Sequence, residues 1–275
     1  MSRTIELVAR WCYEQLPDSL GYKYFQVREI SDNEVRTFGL GYFPKNSERQ
    51  LIDYVEKRDG DRQELFKRAI VFEDKLRSSS FYSMFSSRVI IPYCTVYGEV
   101  IGFTGRAIEK GQEPKYVNTI FLKAQEPYNL QKAKDEARER DTIFIVEGHV
   151  CCITSWRKGL RNVIAGGGTA ITQDHILKAT RYAKTVCVIV DNDDAGLKAA
   201  QKILTFARDD YVLQVLVLPK ILNLDNNTVE IKDLDDFFVK GKRSKDDFWN
   251  FYYESFKLID SSQILRERVN RIEKI

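Results

Sequence analysis

The sequence predicts an α/β protein with an α+β N-terminal part, a parallel-sheet α/β part and a C-terminal helical segment. Two observations carry this prediction. Beyond residue 140, short apolar runs of β type alternate with helical stretches of about ten to fifteen residues, a pattern typical of βαβ crossovers. Before it, a mainly helical region gives way to strand-like runs near residue 81. We expect domains at residues 1–130, 131–240 and 241–275.

The first region is expected to be helical. Residues 2–16 place apolar side chains at helical spacing on one face, and a second helical stretch is predicted over residues 61–76. A segment rich in glycine and proline, FGLGYFPKNS, lies between them. The predicted buried face of the first helix consists of Ile5, Val8, Trp11, Cys12 and Leu16.

Strands and a parallel sheet are predicted next. The runs RVIIPYC and EVIGFTGR read as strands joined by a turn at Tyr97 and Gly98. After the charged helix QKAKDEARER, the strands of the βαβ series are TIFIV, NVIA, VCVIV and VLQVLVLP. The chain from Asp246 onward is expected to be helical, with a packed face that includes Phe248, Tyr252 and Ile259.

Composition bounds the function only loosely. A net charge of +3 is too small to indicate polyanion binding by itself, so a nucleic-acid role would need local basic patches. The five cysteines lack zinc-ligand spacing and read as reduced thiols, and the two histidines, His149 and His175, read as structural or solvent-facing. No run approaches the ~20 apolar residues of a membrane span, so we expect no membrane partner and a cytoplasmic location.

Acidic residues follow the predicted strands. Glu147 comes directly after TIFIV, Asp191 and Asp193 come after VCVIV, and a later acidic group contains Asp233, Asp235 and Asp236. Right-handed crossovers would bring these acids to one edge of the sheet, where they fit a site for Mg²⁺ or Mn²⁺. For any single acid, a helix N-cap is an equally good interpretation, at Asp193 or Asp194 and at Asp233 or Asp235.

Two further segments carry candidate phosphate ligands. The turn Gly166-Gly167-Gly168-Thr169 follows a strand, so it could face a phosphate or could simply permit close packing of strand and helix. The region from Arg88 to Asn118 is basic, which suits a phosphate-bearing substrate beside an acidic metal site; a solvated basic face is the alternative. The basic-region candidates are Arg88, Arg106, Lys115 and Asn118, with Lys110 and Tyr116 beside them.

Taken together, these motifs resemble the DnaG-type DNA primases, in particular their RNA polymerase core with its Toprim subdomain. SDNEVRTFGLGYFP, FSSRVIIP, EVIGFTGR and EPKYVNT resemble motifs of the N-terminal core, and VEGH, DNDDAG and KDLDDFF resemble the Toprim motifs. The resemblance implies a Toprim-type parallel sheet with Glu147, Asp191 and Asp193 as catalytic metal ligands and Asp233 and Asp235 as a later pair. It also implies that the basic-region candidates lie beside the nucleotide and template path.

The implied reaction is template-directed attack of a ribonucleotide 3′-hydroxyl on the α-phosphate of the next nucleoside triphosphate. The implied partners are single-stranded DNA, ribonucleoside triphosphates, a replicative helicase and a separate zinc-bearing protein. Two other functions stay open, a Toprim-type metal-dependent nuclease or strand-breaking phosphodiesterase and a non-catalytic binder of nucleotide or single-stranded DNA.

The chain departs from the family pattern in three places. Cys151 stands where the family usually has an aspartate, four residues after the glutamate, and sulfur is a poor ligand for Mg²⁺. The family's SLGT-like turn is GGGT here. The N-terminal zinc module of the family and room for a helicase-binding domain are missing from this sequence. We therefore expect either an excised core or a compact primase of a virus or mobile element, acting in the host cytoplasm if viral.

Overall fold

The computed structural model describes residues 2–74, 80–168, 170–224 and 227–256. The chain divides into two compact units, Met1–Leu122 and Lys123–Ile275. The α/β class predicted from the sequence is confirmed, since the first unit is α+β and the second holds a parallel sheet. The finer division at residues 130 and 240 stays a prediction, and the expected helix beyond residue 256 lies outside the described residues.

In its described residues, the first unit combines five helices with an antiparallel sheet in the order β1-β4-β5-β6. Four residues of the predicted first-helix face, Ile5, Val8, Trp11 and Cys12, pack in the main core cluster with strand residues such as Phe43 and Ile90. Leu16 is also buried, but it lies beyond the end of the helix at Glu14. The helices are α1 (Arg3–Glu14), α2 (Leu20–Val27), α3 (Asp32–Phe38), α4 (Glu48–Glu56) and α5 (Arg62–Lys67). The strands are β1 (Gly41–Phe43), β2 (Phe72–Glu73), β3 (Phe81–Tyr82), β4 (Arg88–Cys94), β5 (Val100–Ala107) and β6 (Tyr116–Asn118).

Local side chains fix where these helices begin and end. Ser31 and Glu34 form a reciprocal capping box at the start of α3, and Gly39 ends the helix in a left-handed conformation with φ 61°. The helix predicted over residues 61–76 is wrong in its second half. It ends at Lys67, because Ala69 adopts φ 57° and the Ile70 amide turns back to donate to the Leu65 carbonyl, after which β2 pairs with β3.

The second unit is built on a parallel sheet in the order β10-β9-β7-β8. The β11–β12 hairpin, which the sequence did not predict, follows it. The strands are β7 (Thr142–Val146), β8 (Val163–Ala165), β9 (Thr185–Val190), β10 (Val212–Val217), β11 (Ile221–Leu224) and β12 (Asn227–Glu230). The helices are a 3₁₀ turn (Lys123–Gln125), α6 (Leu130–Arg140), α7 (His149–Arg157), α8 (Gln173–Ala179), α9 (Asp194–Leu204), α10 (Leu234–Val239) and α11 (Lys245–Phe256).

The central strands of this sheet are buried on both sides. Every residue of β7 is buried, and five of the six residues of β9 are buried as well, as expected for an inner strand of a parallel sheet. Helix α11 covers one face with aromatic rings, and Phe144 of β7 lies 5.0 Å from Phe248 and 5.1 Å from Tyr252 between ring centroids. Within the described part of the chain, no helix has the length and apolar character needed to cross a membrane.

Phe248→Ala is expected to lower the free energy of unfolding by about 3–5 kcal/mol, because the ring is fully buried against Phe144 and its loss leaves a cavity. Urea unfolding monitored by circular dichroism measures this. Tyr253→Ala on the same helix is the control: its side chain is 52% exposed, so a change of only about 0.5 kcal/mol is expected. Equal losses in both variants would contradict the packing of α11 on the sheet.

Candidate functional site

Two acids stand at the carboxyl ends of neighbouring parallel strands. Glu147 directly follows β7 and Asp191 directly follows β9. The two strands pair in parallel with Ile145 opposite Val188, so both strands end at the same edge of the sheet. The chain of βαβ crossovers therefore brings together two acids that are far apart in sequence, as the strand pattern predicted.

Crowding of these carboxylates changes their titration. Burial, followed by the negative charges of Glu147 and Asp233, raises the pKa of Asp191 to about 7. Burial and then the charge of Asp193 raise the pKa of Glu147, and burial also raises the pKa of Asp233. Burial makes each of these acids harder to ionise, neighbouring negative charges add to the effect, and a cation held among them would relieve both costs.

Asp193 lies in the same loop but is stabilised as an anion. Its Oδ1 accepts a hydrogen bond of 2.9 Å from the Gly196 amide, so it is the N-cap of α9, and its Oδ2 lies 3.2 Å from the Lys232 ammonium. The hydrogen bond from the Gly196 amide, followed by the contact with Lys232, lowers the pKa of Asp193. The capping interpretation therefore holds at Asp193 and not at Asp194. Asp193 also acts electrostatically on Glu147, so its capping role is compatible with a place in a cation site.

The later acidic group is the tightest cluster of potential ligands among the described residues. Oxygens of Asp233, Asp235 and Asp236 lie within 4.8 Å of one another. Asp233 caps α10 through the Asp236 amide at 2.9 Å, and Asp235 accepts a hydrogen bond from the Thr154 hydroxyl of α7. In the described part of the chain, Glu147, Asp191 and Asp193 form no group this tight. Asp236 belongs to the converging acids that the strand pattern predicts, whereas the family resemblance implies only Asp233 and Asp235 as the later pair.

Cys151 lies inside this acidic region. It is buried in the first turn of α7, and its thiol interacts electrostatically with Asp233 and Asp235. Burial, followed by the charge of Asp233, keeps the pKa of the thiol far above its ordinary value. The cysteine is therefore a neutral thiol beside these acids.

The donor set fits a hard divalent cation. The groups that converge here are carboxylate oxygens, the ligands that Mg²⁺ and Mn²⁺ prefer, and no histidine is coupled to them among the described residues. His149 packs edge-on against Tyr128, and His175 is buried with its Nε2 at 3.1 Å from the Lys123 carbonyl oxygen. Both histidines have the structural roles that the sequence suggested.

Asp191→Asn is expected to stabilise the metal-free protein at pH 8 by about 1–2 kcal/mol. The folded-state pKa of Asp191 lies above its unfolded value, so stability falls as the pH rises from about 4 to about 7, and asparagine removes this contribution. A pKa shift of this size would change the free energy of unfolding by ~4 kcal/mol for a fully buried group, and the partial exposure of Asp191 reduces this contribution. Urea unfolding in EDTA between pH 5 and 8 measures both profiles. Parallel profiles for wild type and variant would contradict the crowding of Asp191.

The glycine turn supports the site rather than a phosphate. The amides of Gly167 and Gly168 donate to the Glu147 carbonyl at 2.9 and 3.0 Å, and the Gly166 amide donates to the Val146 carbonyl at 3.0 Å. These amides are therefore occupied, which favours the tight-turn interpretation. Gly167 and Gly168 have φ of 78° and 77°, conformations that suit glycine, and the turn holds the backbone of Glu147 in place. Thr169 lies outside the described residues.

The predicted basic residues of the first unit differ in their surroundings. Arg88 is 2% exposed, and its guanidinium donates to the carbonyls of Met84 at 2.8 Å and Pro114 at 2.7 Å. These hydrogen bonds connect β4 to the turn that precedes β6. They also use donors of the Arg88 guanidinium that could otherwise bind a ligand. Burial is also the first cause of its lowered pKa.

Arg106, Lys115 and Asn118 lie on β5, at the start of β6 and in β6. Strand register pairs Arg106 with Tyr116 and Thr104 with Asn118, so Arg106 and Asn118 share one face of the sheet, and Lys115 directly precedes β6. Lys115 and Asn118 are exposed, and Thr104 donates a 2.7 Å hydrogen bond to the Asn118 side chain. Three of the four basic-region candidates therefore stand together at an edge strand.

Lys123 is a further candidate that sequence reasoning missed. It is 8% exposed, and burial lowers its pKa to about 8, so part of the population is neutral near pH 8. A buried lysine with a lowered pKa is typical of functional sites, although structural lysines share the property. The sequence around it, NTIFLKAQ, contains no spacing that marks it out.

Comparison with known proteins matches both parts of the chain. Residues 12–134 match the family described as DNA primase catalytic core, N-terminal domain, and residues 144–238 match the family described as Toprim-like. A DNA primase from Clostridium acetobutylicum is 32% identical over 258 residues, which cover 92% of this chain and 40% of the relative. The chain thus spans less than half the length of this curated relative.

Solved structures agree with the fold. The Aquifex aeolicus primase, comprising zinc-binding and RNA polymerase domains, matches with a TM-score of 0.78 at 27% identity, covering 90% of this chain and 59% of that one. A DNA primase domain from Pseudomonas aeruginosa matches with a TM-score of 0.74 at 26% identity, covering 90% of this chain and 76% of the other. The architecture of both units is therefore found in solved proteins.

Proposed function

Because the chain belongs to the DnaG-type DNA primases, with their catalytic-core N-terminal domain and a Toprim-like domain, we propose that it synthesises short RNA primers on single-stranded DNA. The observation that carries the proposal is the convergence of Glu147 and Asp191 at one edge of the parallel sheet, with Asp193 and Asp233 coupled to them. A Toprim domain implies a divalent cation, and the carboxylates here are suited to one.

Glu147, Asp191 and Asp193 would hold this cation, Mg²⁺ or Mn²⁺, with Asp233 and Asp235 as a second acidic pair. When bound, the cation neutralises charge on the triphosphate and in the transition state. The carboxylates hold their positions because the glycine turn fixes the Glu147 backbone and the Gly196 amide fixes Asp193. Thus the chain's own part in the reaction is to keep the acids pre-arranged.

The bond made is between a ribonucleotide 3′-oxygen and the α-phosphorus of the next nucleoside triphosphate, and pyrophosphate leaves. Arg106, Lys115 and Asn118 are proposed to contact phosphates of the nucleotide or template, because Lys115 and Asn118 are exposed and Arg106 shares a sheet face with Asn118. Arg88 is proposed to support them by bonding to the turn before β6, given its burial and carbonyl contacts.

Partners follow from the same proposal. A primase of this kind would use a single-stranded DNA template and ribonucleoside triphosphates, and we propose a replicative helicase and a separate zinc-bearing protein as macromolecular partners. Priming takes place where the genome is replicated, so the proposed location is the cytoplasm, or the host cytoplasm for a viral chain.

Incorporation of labelled ribonucleotides tests the proposal. The protein is incubated with Mg²⁺ or Mn²⁺ and single-stranded DNA templates of mixed sequence, with the zinc-binding part of a related primase added in a parallel series. Short labelled products that require the template would support a primase. Cleavage of the template without added nucleotides would indicate a Toprim-type nuclease instead. Binding of template without products in either series would indicate a non-catalytic binder.

A further inference from the structure

The guanidinium of Arg106 lies between two tyrosine rings of the first unit. Its Cζ is 5.3 Å from the ring centroid of Tyr24 and 5.7 Å from that of Tyr116. Tyr116 is the cross-strand partner of Arg106 on β6, whereas Tyr24 comes from α2. Both distances are within the ~6 Å over which an aromatic face attracts a cation.

The ring contacts leave the polar edge of this guanidinium unused. Within the described residues, the Arg106 side chain makes no hydrogen bond and no ion pair, although a guanidinium carries five N–H donors. The arrangement contrasts with Arg88, whose donors are taken by backbone carbonyls. When aromatic rings hold the two faces of a guanidinium, its N–H donors stay free at the edge. Such an arginine is suited to a planar, bidentate contact with phosphate.

A second cation extends the same surface. The Lys115 ammonium lies 5.8 Å from the centroid of the Tyr116 ring, so Tyr116 contacts both basic residues. Tyr24 contacts Arg106 from a separate element, and Tyr24 was not among the residues that the sequence singled out. Without this ring, the Arg106 guanidinium would lose its aromatic contact with the helical part of the unit.

We infer that Tyr24 is a positioning residue that, together with Tyr116, presents Arg106 to a phosphate of the substrate. The inference rests on the proposed function, since the phosphate belongs either to the single-stranded DNA backbone or to a nucleoside triphosphate. Tyr24 acts through its ring face, so phenylalanine should replace it and an aliphatic side chain should not.

The test measures binding of a fluorescent oligothymidylate and, separately, of ATP with Mg²⁺, by wild type, Tyr24→Phe, Tyr24→Leu and Arg106→Ala. Arg106→Ala is expected to weaken binding of the relevant ligand and, for the oligonucleotide, to reduce the salt slope by about one. Tyr24→Leu should weaken the same binding about threefold to fivefold, and Tyr24→Phe should stay within about twofold of wild type. The ligand that responds identifies the source of the phosphate.

A double-mutant cycle separates positioning from direct contact. If Tyr24 acts through Arg106, Tyr24→Leu should have no further effect on binding in the Arg106→Ala background. Arg28→Ala is the control, because the Arg28 guanidinium also lies over the Tyr24 ring, at 5.8 Å, and its removal should leave binding unchanged. Thermal unfolding of each variant checks that the helical region stays folded.

Two results would overturn the inference in different ways. Binding that depends on Arg106 but is the same in Tyr24→Leu and wild type, or a Tyr24→Leu effect that persists without Arg106, would contradict the positioning role alone. A wild-type protein that binds neither the oligonucleotide nor ATP would overturn the proposed function together with the inference.

Discussion

Replacing Asp191 with alanine is expected to reduce template-directed ribonucleotide incorporation by about a thousandfold or more. Asp191 stands at the end of an inner strand, and its charge is coupled first to Glu147 and then to Asp233. Removing it deletes a central member of the proposed cation site, and the loss of charge stabilisation in the transition state is worth several kcal/mol. Initial rates of incorporation measure the effect.

Asp194→Ala is the matched control for this variant. Asp194 belongs to the same DNDDAG run, but it is exposed in the first turn of α9. We expect Asp194→Ala to keep incorporation within about threefold of wild type, since an exposed helix charge contributes little. Similar losses in the two variants, or activity retained by Asp191→Ala, would show that Asp191 is not the acid on which the cation depends.

Gly196→Ala is expected to lower activity by about a hundredfold and the free energy of unfolding by about 1–3 kcal/mol. A Cβ at this position would lie 2.1 Å from the Asp191 carbonyl oxygen and 2.9 Å from its carbonyl carbon, and these backbone atoms cannot rotate away. The first turn of α9 would have to move from the end of β9, and the Gly196 amide would lose its bond to Asp193.

Gly148→Ala provides the steric control. A Cβ there would meet only the Cys151 sulfur, at 3.9 Å, which is an ordinary contact, although Gly148 follows Glu147 directly. The stability of Gly148→Ala is therefore expected to stay within about 1 kcal/mol of wild type by urea unfolding. Gly196→Ala with unchanged stability and activity would mean that the loop joining β9 to α9 tolerates displacement.

The pattern of apolar runs predicted the parallel sheet because its two inner strands, β7 and β9, are buried on both faces. The runs TIFIV and VCVIV are continuously apolar and stop abruptly at acids, so both the strands and their carboxyl ends are visible in the sequence. The antiparallel hairpin β11–β12 was missed. Its residues are largely exposed, so they carry little of the hydrophobic pattern on which strand prediction depends.

Long-range contacts account for what the sequence could not predict. The sequence does not distinguish a basic residue that faces solvent from one that is buried. Arg88 is of the second kind, since it is buried and donates to a carbonyl on a distant turn. The glycine turn allowed two interpretations, which only its hydrogen bonds to Glu147 distinguish. Likewise, the helix predicted past Lys67 ends there because Ala69 takes a left-handed conformation, which residue type alone does not indicate.

Cys151, which stands where the family usually has an aspartate, also has contacts that the sequence could not predict. Its sulfur could be judged a poor ligand from residue type, but its contact with Asp233 follows from the packing of α10 on α7. The tight group formed by Asp233, Asp235 and Asp236 could likewise be suspected from the run KDLDDFF, whereas its distances needed the structure. The placement of the cation among these acids stays a prediction.

Anomalous scattering from crystals soaked in Mn²⁺ tests the central claim most directly, because it locates the cation without relying on activity. We predict a manganese peak within ligand distance, ~2.2 Å, of carboxylate oxygens of Glu147, Asp191 or Asp193, and its loss in Asp191→Ala. A peak held only by Asp233, Asp235 and Asp236, or manganese absent from both groups at saturating concentration, would contradict the assignment of the strand-end acids as the metal centre.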